Sequence, residues 1–163
     1  LERLVPTELA RPHRAARMEY EYRRHGTLVL FAAFEVHTGR VFGRCYRRQR
    51  LREWLGFLPQ LIRRYPGRRV RIVLDNLKIH DHPAVHELLR HWRGRVTLHF
   101  TPKHASWLNQ VEIWFSILQR RLMRRGSFLS PADLARRVLL FIRAWNREAH
   151  PFRWTYTGRP LAA

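Results

Sequence analysis

Two carboxylates, Asp75 and Glu112, are the side chains of this sequence best placed to do chemistry. Asp75 ends the run "RVRIVLDN", which is typical of a buried strand, and in open α/β sheets ligands bind beyond the carboxyl ends of the strands. Glu112, within "ASWLNQVEIWF", borders the apolar stripe of a predicted helix. Each has an ordinary alternative, because Asp-Asn is a common turn pair and a Glu at a helix margin can reach solvent.

Asp75 and Glu112 together could bind a divalent cation. Hard oxygen ligands with few protein contacts suit Mg²⁺, or Mn²⁺ in its place, because such sites keep several waters and are completed by substrate phosphates. In a two-metal site, one ion activates the attacking hydroxyl or water and the other stabilises the leaving 3′ oxygen. In a basic chain, this pair of acids therefore predicts phosphodiester chemistry.

Three histidines, His80, His82 and His86, lie close together in "HDHPAVH". His82 and His86 are one helical turn apart, a spacing that permits a zinc pair, but no third ligand is evident and the HExxH pattern is absent. Hydrogen bonding around a cleft or contact with phosphate is the favoured role for these side chains, and also for His99 and His104. No motif supports a Ser or Cys nucleophile.

Net charge is the strongest compositional signal in the chain. Its 163 residues carry 32 Lys plus Arg against 12 Asp plus Glu, a formal charge of +20 that is nearly all arginine. Guanidinium groups suit bidentate phosphate contacts, so the excess favours nucleic acid as the partner over a charge that only keeps the protein soluble. The candidate DNA contacts flank the Glu112 helix and are Lys103, Arg120, Arg121, Arg124 and Arg125.

Length and apolar content predict one globular domain over residues 1–163, since 45% hydrophobic side chains are enough for one core. Cys45 is the only cysteine, which excludes an internal disulfide or a thiolate cluster and favours a reducing compartment. No apolar run is long enough to span a membrane. The start at Leu1 rather than Met indicates a segment of a longer protein.

The first part of the chain is predicted to contain an arm, a hairpin and a helix. Residues 1–26 are basic and have no sustained period, so we expect an extended arm there. Two β-type runs flank His37, Thr38 and Gly39, which is the pattern of a hairpin. Apolar residues at helical spacing from residue 51 to 62 predict a helix that is kinked or split at Pro59.

Two strands, with a helix between them, are predicted next. The first carries Ile72, Val73 and Leu74, which we expect to be buried on both faces. Pro83 opens the helix that follows, because proline suits the first helical position. Residues 96–100 alternate as a second strand, which a proline ends.

Two helices complete the predicted order of elements. One runs from Leu108 to Gly126. The last begins at Ser130 as its N-cap, with Pro131 and Asp133 completing the capping pattern. The whole order predicts an α/β fold with one layer of mixed sheet.

Several long motifs, in order, resemble one family. "IVLDNLKIHDHP", "HFTPKHASWLNQVEIWFSILQRR" and "PFRWTYTG" resemble the catalytic, integrase-core domain of bacterial insertion-sequence transposases, in the insertion-sequence-630, mariner-like branch of the DDE superfamily. The opening "LERLVP" and the segment "YRRHGTLVLFAAFEVHTGRV" are also similar to that family. The resemblance therefore covers essentially the whole chain.

The resemblance implies an RNase H-like fold, with a mixed sheet flanked by helices, and metal-dependent DNA strand cleavage and strand transfer at transposon ends by three acids. The second acid falls on Asp75 and the third on Glu112, 37 positions later. Nearby motif positions are expected to shape the site through hydrogen bonds: Asn76, His80, Ser106 and Asn109. The implied partner is double-stranded DNA, as transposon ends and target, in the bacterial cytoplasm or nucleoid, with a homodimer as a possible assembly and no membrane.

The first acid of the family precedes the segment that resembles "LERLVP", so we expect the first catalytic Asp to be absent from this chain. Its strand lies centrally in RNase H-like sheets, between the hairpin and the strand that ends at Asp75. We therefore expect two sheet edges without their partner, and an isolated segment that folds poorly or pairs with another chain and has no strand-transfer activity. Two alternatives stay open: a basic DNA-binding remnant without catalysis, and an RNase H-like nuclease.

Overall fold

The structure, a computed structural model, describes residues 2–3, 22–23, 26–102, 109–124 and 126–153. Its strands are β1 (Glu2–Arg3), β2 (Tyr22–Arg23), β3 (Val29–Phe34), β4 (Val41–Tyr46), β5 (Val70–Leu74) and β6 (Val96–Phe100). Its helices are α1 (Leu51–Ile62), α2 (Pro83–Arg90), α3 (Val111–Leu118) and α4 (Pro131–Arg147), and α3 continues into a π-helical turn over Gln119–Met123. The predicted order from the hairpin onward is confirmed.

Strand pairing produces small sheets flanked by helices. β1 pairs antiparallel with β2, β3 antiparallel with β4, and β5 parallel with β6. The predicted α/β class is confirmed and is consistent with an RNase H-like fold. Within the described residues, however, the strands form three two-stranded sheets and not the single mixed layer that we expected. The hairpin and the β5–β6 pair are connected instead through side chains packed around α1.

The β3–β4 hairpin separates two hydrophobic cores. Its predicted turn is confirmed: the Glu35 amide donates to the Arg40 carbonyl at 2.8 Å, and Gly39 has a φ of +72°, which favours glycine. Side chains alternate across the strands, so Phe42 packs toward α1 whereas its neighbour Val41 packs toward α4. The hairpin is thus the shared wall between the two cores.

Each core is named here after its principal helix. The buried side chains of the α1 core are Phe31, Trp54, Phe57, Leu58, Leu61, Ile62, Ile72, Leu74, Val85 and Val96. The buried side chains of the α4 core are Val41, Trp114, Leu118, Val138 and Ile142. The α1 core includes side chains from α2 and β6, and the α4 core includes side chains from α3.

Helix α1 is continuous through Pro59, so the predicted split at this residue is wrong. Pro59 lies in the last turn, where its missing amide removes a single hydrogen bond. Its carbonyl still accepts from the Arg63 amide at 3.0 Å. Burial of the apolar face of the helix outweighs that local cost.

Strand β5 has one buried face and one exposed face. Ile72 and Leu74 are buried in the α1 core, but Val73 is 50% exposed, so the prediction that all three are buried is wrong. Successive strand side chains point to opposite faces, and in the described part of the chain no helix covers the face that carries Val73. Pro83 opens α2 and β6 stops before Pro102, as predicted.

Helix α4 begins as the sequence predicts. The Ser130 hydroxyl accepts a hydrogen bond from the Asp133 amide at 3.0 Å, and the Asp133 carboxylate accepts one from the Leu129 amide at 3.4 Å. The helix before it is regular over Val111–Leu118, and Leu108, its predicted start, lies outside the described residues. Among the helices that the structure describes, none has the length and apolar content that crossing a membrane requires.

Candidate functional site

Asp75 follows β5 directly, at the carboxyl end of the strand. One carboxylate oxygen, Oδ1, forms an ion-pair contact with His80 Nδ1 at 2.9 Å and accepts a hydrogen bond from the Leu77 amide at 3.4 Å. The side chain is 46% exposed. Its Oδ2 atom has no partner among the described residues, so one oxygen is anchored and the other can reach a ligand.

His80 is the side chain that anchors Asp75, and it is buried, with 11% of its side chain exposed. Its ring packs against the Trp54 indole with a centroid separation of 4.6 Å, and its amide donates to the Leu77 carbonyl at 2.8 Å. Its Nδ1 atom also lies 3.4 Å from the Asp75 carbonyl oxygen, so a proton on Nδ1 has two acceptors on the same residue. The contact between Trp54 and His80 has no sequence signal, because 26 residues separate them.

Asn76 joins the ends of β5 and β6. Its Nδ2 group donates to the Thr101 carbonyl at 2.6 Å, and the Thr101 amide donates to the Leu74 carbonyl at 2.8 Å. These two bonds fix the chain on either side of Asp75. The structure therefore brings Asn76 and His80 next to the candidate acid.

Glu112 lies in the first turn of α3, and its side chain is exposed, without a partner among the described residues. Helix α3 is anchored by Trp114 and Leu118, which are buried in the α4 core. Asn109 accepts from the Val111 amide at 3.4 Å through Oδ1, and its carbonyl accepts from the Glu112 amide at 2.9 Å. Asn109 therefore supports the backbone that carries Glu112.

The described residues do not form a complete set of metal ligands. No group of three or more His, Cys, Asp or Glu side chains there is arranged to hold a metal ion. The segment between β6 and α3 includes Lys103, His104 and Ser106, which lie outside the described residues. The convergence of Asp75 and Glu112 on one cation therefore stays a prediction.

The remaining histidines of the cluster have separate partners. The His82 ring caps α2 by accepting from the Ala84 amide through Nδ1 at 3.1 Å. His86 Nε2 lies 2.7 Å from the carboxylate of Asp81. Each ring thus has its own hydrogen-bond partner, and within the described residues neither belongs to a group of three or more side chains that could hold a metal ion.

Cys45 is partly buried beside the α4 core. Burial raises the pKa of the Cys45 thiol above its ordinary value. Since the thiolate is the nucleophilic form, this environment disfavours nucleophilic catalysis by Cys45.

A basic surface follows Glu112 along the same helix. Arg120 and Arg121 are exposed in the π-helical turn, and Arg124 is exposed just after it. Arg125 lies outside the described residues. π-helical turns inside helices are frequent at functional sites.

Comparison with known proteins gives one family. A family model described as "DDE superfamily endonuclease" matches residues 4–135. No curated protein matches the chain.

One similar solved structure is a chain of the cryo-electron microscopy structure of the simian T-cell lymphotropic virus intasome in complex with the PP2A regulatory subunit B56 gamma. The sequences are 13% identical, the TM-score is 0.47, and the match covers 87% of this chain and 57% of that chain. The chain thus spans little more than half the length of that relative. A likeness at this level decides neither fold nor function.

Proposed function

The chain belongs to the DDE superfamily endonucleases, and we propose that it is the catalytic domain of a DNA transposase of the insertion-sequence-630, mariner-like type. Its reaction is metal-dependent DNA strand cleavage and strand transfer at transposon ends. The observation that supports this proposal most directly is the state of Asp75. Its carboxylate contacts a buried histidine through one oxygen at the carboxyl end of β5, while the side chain stays 46% exposed.

The donor set fits Mg²⁺ or Mn²⁺. Asp75 has an oxygen without a partner among the described residues, Glu112 is exposed, and carboxylate oxygens are the ligands that these hard cations prefer. When bound, a pair of such ions supplies activation of the attacking hydroxyl or water and stabilisation of the leaving 3′ oxygen. Asp75 and Glu112 are the residues of this chain that would hold them.

The neighbouring residues orient these two acids. His80 Nδ1 contacts Asp75 Oδ1 and orients the carboxylate, and Trp54 packs on the His80 ring. Asn76 holds the strand ends, and Asn109 supports the first turn of α3. Such outer contacts orient metal ligands and tune their affinity. Ser106 is proposed to contribute to the same site from the segment before α3.

Double-stranded DNA is the proposed substrate. Arg120, Arg121 and Arg124 follow Glu112 on one continuous helical segment, so phosphates bound there would lie close to the candidate acid. Lys103 and Arg125 are proposed to extend this surface. A homodimer and a bacterial cytoplasmic or nucleoid location belong to the same proposal.

The decisive test is DNA cleavage by the longest natural form of the protein that contains this chain. The substrate is DNA carrying the sequences that flank its gene, with Mg²⁺ or Mn²⁺ added. Asp75→Asn and Glu112→Gln are each expected to lower cleavage by about 100-fold or more, because each removes a metal ligand. DNA affinity should change by less than about threefold, because phosphate contacts are untouched.

Matched controls are Asp81→Asn and Glu87→Gln, which neutralise exposed acids paired with His86 and Arg90. Their cleavage should equal that of the unchanged protein. Equal loss of cleavage in the controls, or loss of DNA binding in step with cleavage, would count against the assignment. Preferential cleavage of an RNA–DNA hybrid in direct competition would favour an RNase H-like nuclease instead.

A further inference from the structure

A cavity of about 480 Å³ opens between the hairpin turn and the loop that follows α1. Its walls include Arg40 from the turn, Phe42 from β4, and Arg64, Tyr65 and Arg68 from the loop. All three guanidinium-bearing residues are exposed. None of them belongs to the candidate site around Asp75 and Glu112.

The cavity carries a net positive charge. Glu35 is the only acid among its described lining residues, and its carboxylate accepts from the Thr38 hydroxyl at 2.8 Å. The Tyr65 hydroxyl also hydrogen-bonds to Glu35, and burial together with that carboxylate raises the pKa of Tyr65, which keeps the hydroxyl protonated as a donor. The Glu35 carboxylate thus accepts hydrogen bonds from two neutral hydroxyls, and the cavity has three arginines for this one acid.

The arginines are available to a ligand. Arg64 lies over the Phe42 ring at 5.0 Å from its centroid, which orients the guanidinium without neutralising it. The side chains of Arg40 and Arg68 have no acidic partner within the described ranges. A guanidinium presents donors in a fixed fork that matches phosphate oxygens, so the cavity has the chemistry of a phosphate site.

The backbone that carries Arg40 is held by α4. The Trp145 indole donates to the Gly39 carbonyl at 2.8 Å. The Asn146 amide accepts from the Val41 N–H and donates to the Val41 carbonyl, each at 2.8 Å. The backbone on both sides of Arg40 is therefore fixed by two side chains of α4.

The backbone that carries Arg64 and Arg68 is held by Arg95. The Arg95 guanidinium donates to the Tyr65 carbonyl at 3.1 Å and to the Arg68 carbonyl at 3.3 Å. The Arg68 amide also donates to the Tyr65 carbonyl at 3.3 Å. Both walls of the cavity are thus built before a ligand arrives, which lowers the entropic cost of binding.

We propose that this cavity binds the phosphate backbone of DNA at a second position, away from the candidate metal site. Arg68 lies two residues before β5 and Asp75 directly follows it, so the two are up to about 23 Å apart, at roughly 3.3 Å for each of the seven residue steps. That length corresponds to about seven base pairs of duplex, at roughly 3.4 Å each. A second copy of the chain is a poor occupant, because 12 acids oppose 32 basic residues.

The inference rests on the proposed DNA substrate, but not on metal binding by Asp75 and Glu112. The test compares the double variant Arg40→Gln/Arg68→Gln with Arg90→Gln/Arg136→Gln in duplex binding across a salt series. The second variant loses the same charge from arginines already paired with Glu87 and Asp133. Each variant changes only exposed side chains, and its circular dichroism and thermal midpoint should match those of the unchanged chain.

For a duplex of about 30 base pairs, the cavity variant should bind about tenfold more weakly at low salt, and its slope of log K against log salt should flatten by roughly 1.8. The control should keep the slope of the unchanged chain. Equal losses of duplex affinity in the two variants would overturn the proposal, because they would show that binding depends on the total charge of the chain and not on the cavity.

Arginine modification by phenylglyoxal, read by mass spectrometry, provides a second measurement on the unchanged chain. The duplex should protect Arg40 and Arg68, whereas inorganic phosphate at the same phosphate concentration should not. Equal protection by inorganic phosphate would indicate a small-anion site and overturn the proposal, as would no protection by the duplex. Failure of Asp75→Asn to affect cleavage would leave this result unchanged, so the two proposals fail separately.

Discussion

Asp75 follows a strand of one core, Glu112 belongs to a helix of the other, and the two acids are supported in different ways. Asp75 follows a strand of the α1 core and is held by His80, which packs on Trp54. Glu112 is positioned by its helix, through Trp114 and Leu118 in the α4 core, and by the backbone bond from its amide to Asn109. One candidate ligand is thus oriented by a side chain that contacts its carboxylate, and the other by the packing of its helix. Their mutual distance therefore depends on the hairpin that both cores share.

The largest expected effect comes from removing the central tryptophan of each core. Trp54→Ala and Trp114→Ala should each lower the free energy of unfolding by about 3–5 kcal/mol, because both indoles are almost completely buried. Urea denaturation measures these losses. Only Trp54→Ala should change the His80 ring resonances in NMR spectra, since Trp54 packs on that ring and Trp114 belongs to the other core. A comparable change in Trp114→Ala would show that the two sides are not independent.

A smaller effect should follow from changing the turn between the two cores. A Cβ at Gly39 would lie 1.9 Å from the His150 carbonyl oxygen, in a backbone conformation that disfavours L side chains. Gly39→Ala is therefore expected to cost about 2–3 kcal/mol, measured by thermal or urea unfolding.

The matched control for Gly39 is Gly56→Ala in α1, where a Cβ would meet nothing within 4 Å. This substitution should stabilise the protein by about 0.5–1 kcal/mol, because alanine favours the helix. If the two substitutions had the same sign, the turn would not be the constraint that the contacts indicate.

The smallest expected effect is a pH dependence on the α4 side. Desolvation alone would raise the pKa of Asp133, but hydrogen bonds from Arg136, Arg137 and the Leu129 amide outweigh it and hold the pKa below its ordinary value of 3.8. A carboxyl with a depressed folded-state pKa contributes stability that is present above its unfolded pKa. That contribution is lost as the pH falls below about 4 and through the folded-state pKa.

Unfolding free energies measured from pH 6 downward test this expectation. The decline below about pH 4 should be shallower in Asp133→Asn than in the unchanged chain, since the variant has no carboxyl to protonate. Glu87→Gln is the control on the α1 side, where the acid is exposed in a single pair with Arg90. Identical pH profiles for Asp133→Asn and the unchanged chain would contradict the prediction.

Local features of the fold could be predicted from the sequence because they depend on neighbouring residues. The hairpin turn around Gly39, the N-cap at Ser130 and the helix opening at Pro83 all follow from short-range geometry. The exposure of Val73 could not be predicted, because an apolar run does not show which face of its strand another element covers. The division into small sheets is likewise set by long-range pairing.

The candidate site also has features that the sequence could predict and others that it could not. Asp75 could be found because it interrupts an apolar run, and its contact with His80 spans only five residues. The packing of Trp54 on His80 and the cavity shared by Arg40 and Arg68 join residues that are more than 20 positions apart. Such contacts arise only once the cores have formed, so periodicity and spacing carry no signal for them.

The hydrogen bonds between Asn146 and Val41 also have a consequence for self-association. A side-chain amide that satisfies both backbone groups of Val41 takes the place that a neighbouring strand would occupy on β4. Exposed strand edges are templates for aggregation, and natural proteins block them with side chains, bulges or covering segments. Asn146 therefore protects this edge: it blocks intermolecular β-pairing at this stretch of β4 and leaves the outer face of the hairpin turn open to solvent.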